Sequence, residues 1–267
     1  MIDIHSHILP GLDDGAPDLA TSIQMARLAV ADGITCMACT PHILPGLYEN
    51  TASGITVAIG ALRKAFADED IPLEIVTGAD VHVAPDLVEK LNAGLVPTLN
   101  GSRYFLFEPS HRILTPRLEE FAERLIGAGF IPIVTHPERL QWIRSSYGVI
   151  QSLNRIGCLM QITAGSVLGE FGKVPLYFAE RLLDEGRVDI LASDAHGTTR
   201  RRPLLSRARD AVAQRLGEAE ANAMVETRPA AVLCNATIAP VGQFSEARVP
   251  EPERRSFLSR LFGRTNS

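Results

Sequence analysis

Short apolar segments recur along the chain and are separated by longer amphipathic ones. Within the short segments nearly every position is hydrophobic, which is typical of parallel strands that are covered on one face by helices and packed on the other. We therefore predict seven strands, at residues 2–8, 34–40, 73–83, 104–108, 131–136, 158–163 and 188–193.

The amphipathic segments between them predict helices. The first begins after Asp18, and Gly33 follows it as a C-cap glycine does. Its apolar positions recur at helical spacing: Leu19, Ile23, Ala26 and Val30. Further helices are predicted at 55–67, 116–128, 149–156, 175–185, 203–216 and 218–226, and one from about residue 229.

Alternation of strands and helices predicts an α/β fold with parallel pairing through right-handed crossovers. We expect a distorted (β/α)7 TIM-like barrel, with an open doubly wound sheet as the alternative. The last three helices are expected to close the open side of the barrel. Residues 1–240 would then form one catalytic domain, and residues 241–267 a flexible basic tail.

Composition narrows the class of protein. The 267 residues are 46% hydrophobic and 21% charged, as in a globular domain with a large core. The net charge of -5 argues against a nucleic-acid partner. No apolar run reaches the ~18 residues of a membrane span, and Met1 leads directly into a predicted strand, so we expect a cytoplasmic protein. The tail, where aromatic and arginine residues alternate, predicts at most weak membrane contact.

Four cysteines are too few for a disulfide framework in a chain of this length. Cys36 and Cys39 have the spacing of a zinc or redox pair, but three positions along a strand place their side chains on opposite faces. We therefore predict reduced thiols in the core.

Histidines fall where the predicted strands end. His5 and His7 lie two positions apart, so in a strand they share a face and can bind one metal ion. His42, His136 and His196 each follow an apolar strand at its end. Because the carboxyl ends of parallel strands meet at one rim, these imidazoles are expected to converge.

Carboxylates accompany the histidines at the same rim: Asp13, Asp14, Asp80, Glu108 and Asp194. An ionised Glu108 at the end of an apolar strand requires a cation. Imidazole and carboxylate together suit zinc, manganese or iron, and carboxylates can bridge two or three ions. Arg139 and Arg201 follow two of these motifs, and guanidinium groups bind phosphate oxygens in pairs.

Other hydrolytic mechanisms lack their motifs. No cysteine is followed six positions later by arginine, as a cysteine-based tyrosine phosphatase requires. Neither a phosphate-binding glycine loop with its lysine nor a nucleophile-elbow serine occurs. Metal-dependent hydrolysis of a phosphoester remains.

Together, these motifs resemble the polymerase-and-histidinol-phosphatase (PHP) superfamily, and within it the bacterial CpsB/CapC-type tyrosine phosphatases of capsule and exopolysaccharide loci. The resemblance covers about residues 1 to 240 and rests on motifs in the family's order: the opening at 1–15, Thr40-Pro41-His42, His136-Pro137-Glu138-Arg139 and Ser193-Asp194-Ala195-His196.

The resemblance implies a cluster of two to three metal ions, usually manganese, with zinc, iron or cobalt as alternatives. One ion would be held by His5, His7, Glu108 and Asp194. Glu108 would bridge to a second ion near Asp80 and His136, and Asp14, His42 and His196 would surround a third. Asp194 or His196, or water held by them, would supply the proton to the leaving group, and Arg139 and Arg201 would neutralise phosphate oxygens.

Two positions depart from the family's pattern. Asp80 stands where the family usually has glutamate, so His82 on the same strand face is an alternative ligand. Three consecutive arginines stand where one is usual, and Arg201 is chosen by its spacing from His196. His111 is interpreted as a residue of the entrance loop.

The substrate implied by the resemblance is the phosphotyrosine tail of a bacterial tyrosine kinase that controls polysaccharide synthesis. Three alternatives remain: a phosphatase for histidinol phosphate or another small phosphomonoester, a nuclease, and a non-catalytic regulator that binds phosphotyrosine.

Overall fold

Parallel strands that alternate with helical segments along most of the chain form the core of the computed structural model, which describes residues 1–238 and 241. The strands are β1 (Ile2–Ser6), β2 (Cys36–Cys39), β3 (His42–Leu44), β4 (Tyr48–Glu49), β5 (Glu74–Thr77), β6 (Asp80–His82), β7 (Tyr104–Glu108), β8 (Ile131–Thr135), β9 (Leu159–Thr163) and β10 (Ile190–Ala192). The α-helices are α1 (Leu19–Ala31), α2 (Ala52–Asp68), α3 (Leu87–Asn92), α4 (Leu118–Gly127), α5 (Ile143–Arg155), α6 (Ala164–Val167), α7 (Lys173–Asp184), α8 (Ser206–Leu216), α9 (Glu218–Asn222) and α10 (Arg228–Leu233).

The strands pair in two sheets. One has the order β1-β2-β5, and the other has the order β10-β9-β8-β7-β6-β3-β4. Only the short β4 pairs antiparallel among these described strands. The two sheets meet where β1 runs beside the residues after β10. There Asp194 N donates to His5 O at 2.9 Å, and His7 N donates to Ala195 O at 2.8 Å.

The predicted α/β architecture is confirmed, because the first strand lies beside the last and the order around the molecule follows the chain. The doubly wound alternative is wrong, since its strand order would reverse in the middle of the sheet. The hydrogen-bond ladders of the described residues do not join into one closed barrel.

One predicted strand is divided in two, and another is followed by a strand that was not predicted. The segment 73–83 becomes β5 and β6 around Gly78, while 34–40 contains β2 and the unpredicted β3 begins just beyond Pro41. A side chain at Gly78 would place its Cβ 2.9 Å from Leu99 Cδ2 and from Thr40 Cγ2. Glycine at position 78 therefore lets the link between β5 and β6 pass close to Thr40, in the link between β2 and β3. Hydrogen bonding passes from one sheet to the other at these links, because β2 pairs with β5 and β3 pairs with β6.

Every predicted helix is present, but one start is wrong and the short helices α3 and α6 were not predicted. Asp18 caps α1 by accepting from Thr21 N at 2.8 Å, and Gly33 adopts φ +89° behind it. Helix α5 begins at Ile143, six residues before the predicted start. Its first turn carries polar residues and a kink at Ser146, so the apolar periodicity is absent there.

Apolar side chains form an inner and an outer core. The outer core packs helices onto strands, and the inner core fills the space between the strands. Helix α10 contributes Val232 and Leu233 to the inner core, and Asn235 Oδ1 accepts from Arg103 N, just before β7. The strands of the two sheets follow one another around the inner core, an arrangement that we call the strand ring. The last helices thus cover the amino-terminal end of this ring.

All four cysteines are free thiols. Cys36 belongs to the inner core and Cys39 to the outer, as opposite strand faces require, and Cys158 is also buried. Cys234 is exposed, which corrects the prediction of four core thiols, because it lies at the C-cap of α10. Within the described residues, no helix combines the length and apolar character that crossing a bilayer requires. The predicted tail lies outside the described residues except for residue 241.

Candidate metal centre

The carboxyl ends of the strands bring all nine predicted metal ligands together in one cluster. β1 and the loop after it supply His5, His7 and Asp14. The others lie at or just beyond the ends of β2, β5, β7, β8 and β10: His42, Asp80, Glu108, His136, Asp194 and His196. In sequence these residues span 192 positions, from 5 to 196. Parallel strand ends meeting at one rim account for their convergence.

Two groups of possible ligand atoms share His5. His5 Nε2 lies 3.5 Å from Asp80 Oδ2 and 3.3 Å from Asp194 Oδ1. His7 joins His5 and Asp80 in one group, and His136 joins His5 and Asp194 in the other; within each group the atoms lie within 4.8 Å of one another. Either group offers the mixed nitrogen and oxygen donors that transition-metal ions take.

A further group lies toward solvent. Asp14 Oδ1 lies 3.6 Å from His42 Nε2 and 3.5 Å from His196 Nε2, and His7 completes the set. Asp14 is half exposed, whereas His7 is fully buried. The outer edge of the centre is therefore the edge that a substrate in solution reaches first.

Glu108 stands between two pairs of imidazoles. Its Oε2 lies 2.5 Å from His82 Nε2 and 3.3 Å from His42 Nδ1. Its Oε1 lies 3.0 Å from His111 Nε2 and 3.6 Å from His136 Nε2. Each oxygen thus faces a different pair of nitrogen donors, which is the arrangement of a carboxylate that bridges two ions.

His111 therefore does more than line the entrance loop. It reaches Glu108 from three positions along the chain and forms a possible ligand group with Glu108 and His136. Sequence reasoning placed it outside the cluster because no strand carries it. Its spacing from Glu108 was the signal that could have included it.

Side chains behind the ligands orient the imidazole rings. His5 Nδ1 is hydrogen-bonded to Gln161 Oε1 at 2.8 Å, and His7 Nδ1 to Asp13 Oδ2 at 2.6 Å. Both rings consequently turn Nε2 toward the centre. The prediction did not include Gln161 in the site, although a glutamine inside an apolar strand is a usable signal. Asp13, noted only as a nearby carboxylate, also accepts from His42 N at 2.9 Å.

Backbone geometry at the site is unusual. His136, Asp194 and Arg201 adopt φ of 35°, 53° and 47°, a region that residues other than glycine rarely occupy. Gly15 lies so close to His7 that an added Cβ would sit 2.1 Å from His7 O. Strained positions of this kind persist where the surrounding structure holds them, and they concentrate at functional sites.

The two predicted anion-binding arginines converge on one carboxylate. Arg139 and Arg201 both donate to Asp194 Oδ2, the latter at 2.5 Å. Arg139 also lies over the Phe171 ring, 4.5 Å from its centroid. Buried Glu138 accepts from Thr163 N and so anchors the segment that carries Arg139.

The donor atoms fit divalent cations. Both carboxylate oxygens of Asp80, together with Glu108 Oε2 and Asp194 Oδ1, are buried without a hydrogen-bond partner. Such atoms are costly unless a cation binds them. His136 suits a ligand role as well, because burial, with Arg139 nearby, holds the pKa of His136 well below its usual value and keeps the ring neutral.

Excess negative charge raises the pKa of other imidazoles. Burial lowers the pKa of His5, but the charges of Asp194 and Asp80 outweigh burial and raise it to about 9. Burial also lowers the pKa of His42, but Asp80 and Glu108 outweigh burial and raise that pKa to about 11. A centre that draws protons this strongly also attracts divalent ions, which displace the protons when they bind.

Known proteins are similar to this chain in sequence and in fold. The tyrosine-protein phosphatase YwqE of Bacillus subtilis is 38% identical over 201 residues, or 75% of this chain and 79% of the relative. The putative tyrosine-protein phosphatase CapC of Staphylococcus aureus is 32% identical over the same shares of the two chains. A crystal structure from work on YwqE and on CpsB of Streptococcus pneumoniae, described as unique metal-dependent tyrosine phosphatases, superposes with a TM-score of 0.86 at 34% identity and covers 93% of this chain and 100% of that one.

The match to a family model extends over nearly all the described residues. The model for capsular polysaccharide synthesis proteins of the CpsB/CapC type matches residues 1–234, which include every strand, every helix and every group of the centre. The chain therefore belongs to the CpsB/CapC family.

Proposed function

We propose that this protein is a metal-dependent protein-tyrosine phosphatase. The observation that carries the proposal is the convergence of unpartnered buried carboxylate oxygens and imidazoles beside two arginines that can bind a phosphate group. Membership of a family whose named relatives are tyrosine-protein phosphatases supports the same activity.

The proposed ligand set is His5, His7, Asp14, His42, Asp80, Glu108, His136, Asp194 and His196. Two to three ions fit the number of donor groups, and Glu108 has the orientation to bridge a pair of them. We propose manganese as the native metal, because imidazole combined with several carboxylates suits it; zinc, iron and cobalt accept the same donors.

Bound divalent ions supply a Lewis acid for the phosphate and lower the pKa of water in the site. The chain's own groups do the rest. Arg139 and Arg201 bind equatorial phosphate oxygens, for which they exchange their contacts with Asp194 Oδ2. Water held by Asp194 or His196 then delivers a proton to the phenolate oxygen. The side chains themselves are deprotonated near neutral pH, because, against the effect of burial, the charges of His5 and Arg201 hold the pKa of Asp194 well below its usual value, and burial lowers that of His196 to about 4. The proton transfer is easy, because a phenol has a pKa of about 10.

We further propose the biological setting. The substrate is the phosphotyrosine tail of a bacterial tyrosine kinase that controls capsular or exopolysaccharide synthesis, and the reaction takes place in the cytoplasm. Residues 1–240 form the catalytic domain, and residues 241–267 form a basic tail that makes at most weak contact with membranes.

The test is phosphate release from a phosphotyrosine peptide, a phosphoserine peptide and histidinol phosphate, after chelation and again after manganese is added. We expect manganese-restored release that favours the tyrosine peptide. Selective release from histidinol phosphate would keep the centre and move the activity to a small phosphomonoester. Binding of the tyrosine peptide without release, at saturating manganese, would make the protein a regulator and contradict the proposal.

A further inference from the structure

A second feature lies beside the metal centre, on the side of β9 and α6. It is a surface pocket between α6, the residues after it and the segment that leads into α8. Its wall combines three guanidinium groups, one carboxylate and an apolar floor, supplied chiefly by Arg201, Arg202, Arg207, Glu170, Phe171 and Leu204.

The pocket shares its inner wall with the phosphate-binding groups. Arg201 lines it and donates to Asp194 Oδ2 at 2.5 Å. Phe171 also lines it, and its ring packs against the guanidinium of Arg139. A polypeptide whose phosphotyrosine enters the centre therefore has its neighbouring residues beside this pocket.

Two of its arginines carry charges that the described residues leave unpaired. Arg202 and Arg207 are exposed, and neither guanidinium has a hydrogen bond or ion pair with any of residues 1–238 or 241. Other arginines of α8 differ, because Arg209 pairs with Asp210 at 2.5 Å and Arg215 with Asp184 at 2.6 Å. The lining thus holds two uncompensated positive charges against the single carboxylate of Glu170.

The floor of the pocket is held in place by close packing. A Cβ at Gly165 would lie 2.8 Å from Phe171 Cε2 and 3.0 Å from Glu170 Oε2, so the lack of a side chain there lets both residues fold against α6. Leu168 and Leu204 extend the apolar surface beside Phe171. The apolar floor can contact the aliphatic or aromatic part of a side chain, and the arginines at the rim can bind an anionic group at the end of the same side chain.

We propose that this pocket binds an anionic side chain of the substrate polypeptide next to its phosphotyrosine, and so determines which phosphotyrosines are hydrolysed. The bound group is a carboxylate or a second phosphate, since guanidinium binds both in the same geometry. The proposal rests on the proposed phosphatase function and adds sequence selectivity to it.

The experiment compares kcat/KM for phosphotyrosine peptides that carry glutamate, a second phosphotyrosine, alanine or lysine at each position from three before to three after the target. p-Nitrophenyl phosphate, which has no flanking residues, reports the metal centre alone. Anisotropy of the same peptides with a fluorescent label reads binding even where no phosphate is released.

We expect the full-length protein to favour an anionic flank over alanine by about fivefold at one or two positions, the size of a partly exposed ion pair. Arg207→Gln and Arg202→Gln should each remove most of that preference without changing turnover of p-nitrophenyl phosphate. Glu170→Gln should enlarge the preference, because it removes the one opposing charge. Arg155→Gln, at an exposed arginine at the end of α5, controls for net charge and should change nothing.

Equal turnover and equal binding of all the peptides, with p-nitrophenyl phosphate hydrolysed normally, would overturn the pocket proposal and leave the phosphatase function intact. Absence of turnover on every substrate would instead contradict the proposed function. In that case an unaltered anisotropy preference in Arg207→Gln would overturn the pocket proposal, and its loss would support it. Preference for glutamate or for the second phosphotyrosine identifies the anion.

Discussion

The two ends of the strand ring both bury charge, but they treat it in opposite ways. At the amino end, Arg228 is fully buried and donates to Glu220 Oε1 at 2.6 Å and to Asp189 O at 3.3 Å. No buried side-chain nitrogen or oxygen of Arg228, Glu220 or Asp189 lacks a hydrogen-bond partner. At the carboxyl end, Asp80 and Glu108 are just as buried and keep oxygens without one.

This difference separates structural from functional burial of charge. A buried ion pair with complete hydrogen bonds is self-sufficient, and removing one member leaves the other uncompensated. A buried carboxylate without a donor is costly until a cation arrives. The amino end should therefore respond to substitution through stability, and the carboxyl end through metal binding and turnover.

The largest expected effect is at the carboxyl end. His136→Ala removes a proposed ligand between Glu108 and Asp194, and we expect kcat/KM to fall on the order of a thousandfold. The free energy of unfolding, measured with urea after chelation, should change by less than about 2 kcal/mol, because His136 Nδ1 has no partner to lose. His111→Ala is the graded control and should cost about tenfold, since His111 contacts Glu108 Oε1 from the edge of the centre and lies partly exposed. Normal turnover in His136→Ala would remove this residue from the centre.

The next effect in size is at the amino end. Arg228→Met leaves Glu220 buried without its guanidinium, and we expect a loss of about 3–5 kcal/mol of unfolding free energy with unchanged turnover per folded molecule. Urea titration followed by circular dichroism measures it.

A matched exposed pair provides the control for that substitution. Arg27 contacts Glu69 at 2.7 Å, and both side chains are about half exposed, so Arg27→Met should cost less than about 1 kcal/mol. Equal losses from the two substitutions would show that the buried pair has no special role in stability.

The smallest effect concerns pH at the amino end. Burial raises the pKa of Asp189 from 3.8 to about 6, despite its hydrogen bond from Met160 N and the nearby Arg228. The folded state then binds more protons than the unfolded state between those two values, so stability falls as pH rises from 3.8 to about 6.

Asp189→Asn should flatten that dependence, because the amide oxygen can accept from Met160 N without ionising. Part of the slope should remain, since burial also raises the pKa of Asp3 to about 6. The free energy of unfolding of the unsubstituted protein and of Asp189→Asn, measured at several pH values, gives the contribution of Asp189 to the slope. Identical slopes would show that Asp189 does not titrate in this range.

Local pattern was sufficient for much of the fold. Seven apolar segments and the helices between them were readable because burial on both faces of a parallel strand leaves few polar positions. The split at Gly78 and the extra strand after Pro41 were not readable, since they depend on how closely two distant segments pass. The start of α5 was missed because its polar first turn gives no periodicity.

The candidate site divides in the same way. His5, His7 and Asp194 were identifiable because polar and charged side chains at the ends of apolar strands are costly to bury unless a partner or a metal ion compensates them. Gln161 and His111 did not stand out, because one hydrogen-bonds a ring from behind and the other reaches the cluster from a loop. Arg202 and Arg207 became informative only once α8 was seen beside the centre.

By itself the sequence determined the strand and helix order, the residue types of the centre and their position at strand ends. Tertiary structure alone decided which oxygens face which imidazoles and that Glu108 stands between two pairs of them. It also decided that a pocket with two arginines, left unpaired by the described residues, adjoins Arg139 and Arg201. The physical reason is range: periodicity and capping act over a few residues, whereas coordination and charge pairing depend on atoms that close approach of distant segments brings within about 4 Å.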